Sequence, residues 1–261
     1  MPAYLITNLI VILVYMTLVW LLSLLKKDAG IVDIFWGLGF ICIAWVSFFT
    51  APGWEDRKLL LLLLVNIWGW RLAIHIYFRS QGRGEDQRYA NWRKEHSPGF
   101  AWWSLRYVFM LQGAIAWVVC LGFQLGMYAS EPAAFGWLTL AGLTVWLFGF
   151  FWESVGDFQL LQFMKNPDNK GRVLNYGLWR YTRHPNYFGE TVMWWGIFLI
   201  VLPSPFGWVA IVSPCLLTFL ILRVSGVTML EKTQKEAKPK YADYIRRTSA
   251  FIPMPPKKEA E

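Results

Sequence analysis

The chain has 261 residues, of which 56% are hydrophobic and only 16% charged, less charge than a soluble domain of this size carries. A mean hydropathy of +0.36, with apolar segments long enough to cross a bilayer recurring along the chain, excludes a soluble globular protein and implies an all-α polytopic integral membrane protein. The net charge of +8 comes without any nucleic-acid-binding motif, so it points to membrane topology and not to a nucleic-acid partner.

Seven transmembrane helices are expected. Span 1 runs from about Ala3 to Leu25 and ends at Lys26-Lys27-Asp28. It is too long for a removed signal peptide and lacks the basic front and small-residue cleavage site. Span 2 covers about Ile31 to Thr50, with Asp33 near its start, and Pro52 to Lys58 form a short polar turn. Span 3 covers about Leu59 to Phe78 and is followed by a basic loop to about Trp103. Span 4 extends over about Leu105 to Tyr128 and span 5 over about Phe135 to Leu161. After a polar loop come span 6, about Tyr187 to Leu202, and span 7, about Phe206 to Met229, separated by Pro203-Ser204-Pro205. A polar tail, residues 230–261, closes the chain, and neither an internal repeat nor a second domain is evident.

Lysine and arginine placement orients these spans. Loops 1, 3 and 5 and the tail share one side and hold Lys26, Lys27, six cations from Arg79 to Arg106, five from Lys165 to Arg183 and eight from Lys232 to Lys258. The other side holds Arg57 and Lys58 alone. Cations accumulate on the cytoplasmic side, so the N-terminus is expected outside and the tail in the cytoplasm. The same asymmetry leaves one face suited to a polyanionic ligand or to anionic headgroups.

Cys42, Cys120 and Cys215 each fall within a span, without CxxC spacing, and read as packing residues. Three scattered histidines without an HExxH arrangement give no metal site. No glycine-rich fingerprint follows a strand, so any nucleotide is held by helices and loops. Charges inside the spans are more telling, because each costs a few kcal/mol at mid-membrane. Trp68, Arg71, His75 and Arg79 share one face of span 3, and Glu153 and Asp157 are one turn apart on span 5. Arg223 lies in span 7, eight residues before Glu231, and Asp33 opens span 2. Such charges either snorkel and pair with one another or line a polar cavity open to the cytoplasm and closed by apolar helices toward the outer leaflet.

The stretch Gly177-Leu-Trp-Arg-Tyr-Thr-Arg-His-Pro-Asn-Tyr-Phe-Gly-Glu190 is the most distinctive in the chain. Pro185 cannot continue a helix from upstream but suits a first turn, so a helix is expected to begin there. His184 and Asn186 then sit at a helix N-terminus, where free N–H groups and the dipole favour anions. The plain alternative is a cytoplasmic loop whose arginines fix topology only.

These residues carry a resemblance. The run from Asn166 to Arg172 through Gly177–Glu190, with Trp194-Trp195-Gly196 after it, is similar to the bacterial DUF1295 family of membrane proteins. That family is related to the steroid 5α-reductases and, more distantly, to sterol C14-reductases and isoprenylcysteine carboxyl methyltransferases. Tyr241-Ala-Asp-Tyr244 with Arg246-Arg247-Thr-Ser-Ala-Phe-Ile-Pro253 resembles its C-terminal signature. The likeness is most specific over about residues 150 to 255, and Asp33-Ile-Phe-Trp-Gly37 fits it in span 2. It implies a seven-helix bundle that admits NADPH from the cytoplasm and a lipid-like enone from the bilayer.

On that resemblance Arg71, Arg172, Arg183 and His184 would meet the cofactor phosphates with charge-assisted bonds. Glu153, Asp157, Asn169 and Asn186 would contact ribose hydroxyls and the carboxamide, and Tyr181, Tyr187, Tyr241 and Tyr244 would pack on the rings or cap polar groups. Glu190 matches a position that lines the cofactor, and Arg223 falls where the last span supplies a cationic contact. Reducing an activated C=C bond needs an electrophile at the ketone oxygen as enolate charge develops. Asp33 matches the acidic position of the 5α-reductases, one methylene shorter, and a protonated Asp33 would donate a hydrogen bond. Trp68 stands where they carry a tyrosine, a departure, since indole donates but cannot relay a proton. Three readings therefore compete: an NADPH-dependent reductase of an apolar enone such as a 3-oxo-Δ4-steroid, a SAM-dependent methyltransferase of the isoprenylcysteine type, and a non-catalytic lipid-binding membrane protein.

Overall fold

The computed structural model describes residues 3–224, 226–228, 230–231 and 241–257. Its elements are helical: α1 (Ala3–Lys26), α2 (Ile31–Thr50), α3 (Glu55–Ser80), α4 (Gln87–Glu95), α5 (Phe100–Tyr128), α6 (Trp137–Lys165), α7 (Pro185–Val201), α8 (Gly207–Val224) and α9 (Tyr241–Arg247). Among the described residues there is no strand, and a lone bridge joins Thr182 to Ser249. Six helices, all but α4, α7 and α9, are long and apolar enough to cross a bilayer, which makes the chain a polytopic membrane protein. The seventh expected span is α7, 17 residues long.

Several boundaries differ from those expected. Span 3 starts earlier, at Glu55, because Glu55 and Asp56 complement the N-terminal end of the helix dipole. Span 4 begins at Phe100 and passes through a π-helical stretch, Leu105–Met110, before its regular part. Span 5 is shifted to Trp137–Lys165. The last span ends its regular α-helix at Phe219 and continues as a π-helix to Val224, and its expected end at Met229 lies outside the described residues. The loop after span 3 contains α4, started by Asp86, whose carboxylate accepts from the Arg88 N–H at 2.9 Å.

The chain divides into two compact units. The first comprises the described residues up to Phe135 together with Val201–Val212. Its centre is α2, packed by α1, α3 and α5. Gly37 and Gly69 let α2 and α3 cross closely, since a Cβ on either would stand 2.8 Å from the other's carbonyl oxygen. Asn8, Ser47 and Gln124, fully buried, tie three helices together: Asn8 Nδ2 donates to Ser47 Oγ at 2.9 Å and to Gln124 Oε1 at 2.8 Å.

Arg57 and Lys58, expected in the short polar turn before span 3, are both buried within the first turn of α3. Arg57 donates to the carbonyls of Gly126, Ala129 and Pro132, at the C-terminal end of α5 and just beyond it. Lys58 donates to Ala51 O just past the end of α2 and to Glu55. Each satisfies carbonyls that a helix leaves open at its C-terminal end.

The second unit comprises Gly136–Ile200 and the described residues from Ser213 onward. Its framework is an antiparallel pair, α6 against α7. Glycines recur on α6 at positions 142, 149 and 156, every second turn and hence on one face. A Cβ on Gly142 would lie 2.6 Å from Gly196 O, and one on Gly149 would lie 2.6 Å from Gly189 O. A Cβ on Gly156 would lie 3.1 Å from the Asn186 nitrogen. The seam brings the two backbones into contact and sets which α6 side chains flank the start of α7.

Candidate functional site

In the second unit, the helix expected at Pro185 begins there, with the His184 carbonyl accepting from the Phe188 N–H at 3.0 Å. The glycine seam places Asn186, in its first turn, beside Asp157 of α6, and Asn186 Nδ2 donates to Asp157 Oδ1 at 3.0 Å. Glu153, one turn earlier on α6, and Asp157 are both buried. Two carboxylates and a carboxamide thus converge on one end of a tightly packed helix pair. Ionisable groups buried in helices of this apolarity are costly, which makes this group the candidate site. Tyr187 stacks on His184, with ring centroids 5.7 Å apart, and Glu190 follows it on α7.

The loop before α7 is folded back on α6. Trp179 Nε1 donates to Gly156 O at 3.0 Å, and the Leu178 N–H donates to Gln159 Oε1 at 3.0 Å. Gly177 has φ +59°, and the Gln159 carboxamide occupies the space a side chain there would need. Asn169, read as a ribose contact, donates instead to Phe163 O near the end of α6 at 3.0 Å.

Arg183 and His184, read as phosphate contacts, have a different occupation. Arg183 is buried and gives Nε and Nη2 to Glu231 Oε1 at 2.7 and 2.6 Å. Its Nη1 donates to the carbonyls of Ile245 and Thr248. His184 Nε2 lies 3.4 Å from the same Glu231 oxygen. The anion beside this helix start is therefore the protein's own Glu231. Burial raises that carboxyl's affinity for a proton, but His184 and Arg183 together outweigh it and hold Glu231 below the usual carboxylate range.

The same segment is stitched to the tail. The Arg183 N–H donates to Ser249 O at 2.9 Å, Thr182 Oγ1 to Phe251 O at 2.8 Å, and the Met254 N–H to Tyr181 O at 3.0 Å. The Tyr244 hydroxyl donates to Trp179 O, so the buried Tyr244 caps backbone. Burial pushes the Tyr241 phenol up to about 12. Tyr181 is exposed. Arg223, read as a cationic contact in the last span, is exposed in the π-helical stretch of α8.

Arg172 borders an open cleft of the second unit, and the remaining predicted residues, Asp33, Trp68 and Arg71, belong to the first unit. Trp68 is buried against Phe40 of α2, edge to face at 5.1 Å, and Arg71 follows it one turn along α3. No Arg or Lys lies within span 2 beside Asp33, and its cation comes from α4. Arg88 Nη2 reaches Asp33 Oδ2 at 2.8 Å, and the Tyr89 hydroxyl donates to Oδ1 at 2.7 Å. Both Asp33 oxygens thus lie within hydrogen-bond reach of groups on α4. Tyr89, 2% exposed, also accepts from Gln112 Nε2 at 3.4 Å. Burial and then the facing Asp33 charge push its phenol far above the ordinary value.

A second pair fastens the same helix. Arg93 holds Glu85 through both oxygens, at 2.7 and 2.9 Å, while Glu85 accepts from the Ala29 N–H at 2.8 Å. Burial pulls the Glu85 carboxyl upward, but these donors more than offset it and keep it low. Arg88, Tyr89, Glu85 and Glu231 were missed in the sequence because a basic loop and a polar tail hide which of their charges are buried. The one available signal was Asp86 preceding a polar helical run, an N-cap that marks α4.

The family model described as "Protein of unknown function (DUF1295)" matches residues 19–248. An uncharacterized protein of Schizosaccharomyces pombe is 26% identical to this chain over 270 residues, covering 90% of the chain and 75% of that relative. No solved structure matches. The family match takes in the Asp33 cluster, the glycine seam, the Arg183 clamp and all of α9. On that extent of matched sequence, the chain belongs to the DUF1295 family.

Proposed function

We propose that this membrane protein reduces an activated C=C bond in an apolar, lipid-like enone, such as a 3-oxo-Δ4-steroid, with NADPH as reductant. The observation that carries the reading is the buried Glu153–Asp157–Asn186 group at the start of α7. Carboxylates and a carboxamide suit ribose hydroxyls and a nicotinamide amide, which need acceptors and a donor in fixed positions. NADPH, when bound, supplies a hydride to the β-carbon. Asp157 orients Asn186, Glu153 adds an acceptor one turn away, and Arg172 in the preceding loop offers a guanidinium to phosphate. Arg183 does not fit that task, since Glu231 and two carbonyls already occupy it.

On the acid side, the hydrogen-bonded Asp33–Tyr89 pair is the proposed source of the proton for a developing enolate oxygen. Trp68 offers an indole N–H only. The reading is tested by titrating the purified protein with NADPH and with SAM, followed by a product assay over a panel of enones. NADPH binding with loss of the enone double bond is the expected result; SAM binding alone refutes it.

We further infer seven crossings, counting α7, with the N-terminus outside, the tail cytoplasmic, and residence in a bacterial inner membrane. Burial of Arg57 and Lys58 supports this orientation, because the two cations opposed to the basic side serve helix ends. A reporter fused after Glu261 should be active only if it folds in the cytoplasm. A periplasmic readout would sink both the orientation and the reductase reading.

A further inference from the structure

Outside the membrane-crossing helices of the second unit lies a cleft of about 1030 Å³. One wall is the loop from Lys170 to Arg180, and the other is α9 with the tail that follows it. Its lining includes Lys170, Arg172, Arg180 and Arg247, and one carboxylate, Asp243. Asp243 is already engaged by Arg246, its neighbour one turn along α9. No described carboxylate forms an ion pair with Lys170, Arg172 or Arg180. Among the described residues, the charge of these three side chains is therefore not neutralised by a carboxylate.

The walls are held where they are by bonds that use none of these three side chains. Tyr244 is fixed to Trp179 O, Arg183 to the end of α9, and Met254 to Tyr181. Gly171, with φ +78° and open space around it, turns the loop so that Lys170 and Arg172 both border the cleft. Tyr176, 53% exposed, adds an aromatic side chain to the lining. Cations gathered in a preformed pocket, with the walls stitched independently of them, are arranged to receive an anion. Guanidinium groups pair bidentately with phosphate oxygens. The volume matches that of small-molecule sites, about 300–1,000 Å³, and exceeds what an inorganic ion alone would fill.

We propose that this cleft binds a phosphomonoester carried on a nucleotide-sized or lipid headgroup, with Lys170, Arg172 and Arg180 as its anion contacts. Arg180 and Lys170 extend the site beyond the residues assigned to the reductase reading, and charge and shape carry it whether or not that reading holds.

The experiment uses the full-length protein, with adenosine 2′,5′-bisphosphate in detergent as the soluble probe. Nanodiscs of phosphatidylcholine with or without phosphatidic acid supply the lipid probe. Wild type should bind one of the two probes, and binding should weaken as salt rises. The double variant Lys170→Gln/Arg180→Gln should bind at least tenfold more weakly while its melting temperature without ligand stays that of wild type. Lys94→Gln, an exposed cation in α4, should leave affinity unchanged. Preference for the bisphosphate identifies a soluble ligand, and preference for phosphatidic acid a lipid one. Failure of wild type to bind either, or equal losses in the double variant and in Lys94→Gln, overturns the site. If wild type binds neither probe but NADPH-dependent enone reduction persists in the double variant, the cleft inference falls and the reductase reading stands. If the cleft binds a probe but no NADPH binding or turnover exists, the reverse holds.

Discussion

A methyl group added at Gly189 tests whether the α6–α7 seam positions the buried polar group. In the structure a Cβ at this position would stand 2.5 Å from Gly149 O and would also meet the backbone of Glu153. Ordinary carbon contacts lie at about 3.5 Å or beyond, so the two helices must part by about 1 Å. Neither neighbour is a flexible side chain that can turn away. Overpacking of this kind costs about 1–3 kcal/mol, and Gly189→Ala should lower the stability of the purified protein by that amount. The second consequence is functional: Asn186 sits in the same turn of α7 as Gly189 and is bonded to Asp157 on the other side of the seam. A displacement of about 1 Å in a positioning residue costs up to about a hundredfold in rate, so NADPH-dependent turnover should fall more steeply than stability. Thermal unfolding in detergent reads the first effect and steady-state enone reduction the second. Gly136→Ala is the control, because a Cβ there meets nothing within 4 Å and should change stability by no more than about 0.5 kcal/mol. Wild-type stability in Gly189→Ala would refute the close backbone seam. A large loss in Gly136→Ala, at the N-cap of α6, would show that added bulk is harmful even where space is open and remove the argument from position.

Arg183→Ala should cost about 3–5 kcal/mol, the range for removing one partner of a buried pair, because Glu231 and the Ile245 and Thr248 carbonyls lose their donor. Limited proteolysis should then cut within residues 241–257 much faster than in wild type, and an unchanged cutting rate would show that the clamp does not hold the tail. Acid should weaken the same clamp: the Glu231 carboxyl is held low in the folded protein. Its contribution is therefore fully present above the ordinary glutamate value of about 4.3 and is lost as pH falls from there through the lower folded value. Amide hydrogen exchange of residues 241–257 should speed up on acidification in wild type, and a Glu231→Gln variant should lose most of that dependence. Asp33→Asn should slow the hydride step by roughly tenfold to a thousandfold, with NADPH affinity unchanged, because one of the Arg88 and Tyr89 bonds must be given up. Single-turnover oxidation of bound NADPH measures it, and a wild-type rate removes Asp33 and Tyr89 from the mechanism.

What the sequence determined by itself was whatever depends on short-range chemistry. Apolar length and lysine–arginine spacing marked where helices lie, because burial in lipid and the cost of a charge there act on each segment alone. Pro185 announced the start of α7 because its missing N–H and fixed φ are properties of one residue. The seven-residue spacing of Gly142, Gly149 and Gly156 was also present in the sequence, although its partner helix was not. Tertiary structure alone decided which charges meet. Asp33 and its partners are separated by 55 and 56 residues, and Arg183 and Glu231 by 48. A guanidinium in a polar loop has the same local signature whether it faces a ligand, water or a distant carboxylate. The choice is made by how the backbone folds back, through Gly177 over Gln159 and through the tail docked along Tyr181–Arg183. Arg183 therefore read like Arg172 in the sequence and differs from it in space: one is buried with its hydrogen bonds filled, and the other lines an open cleft.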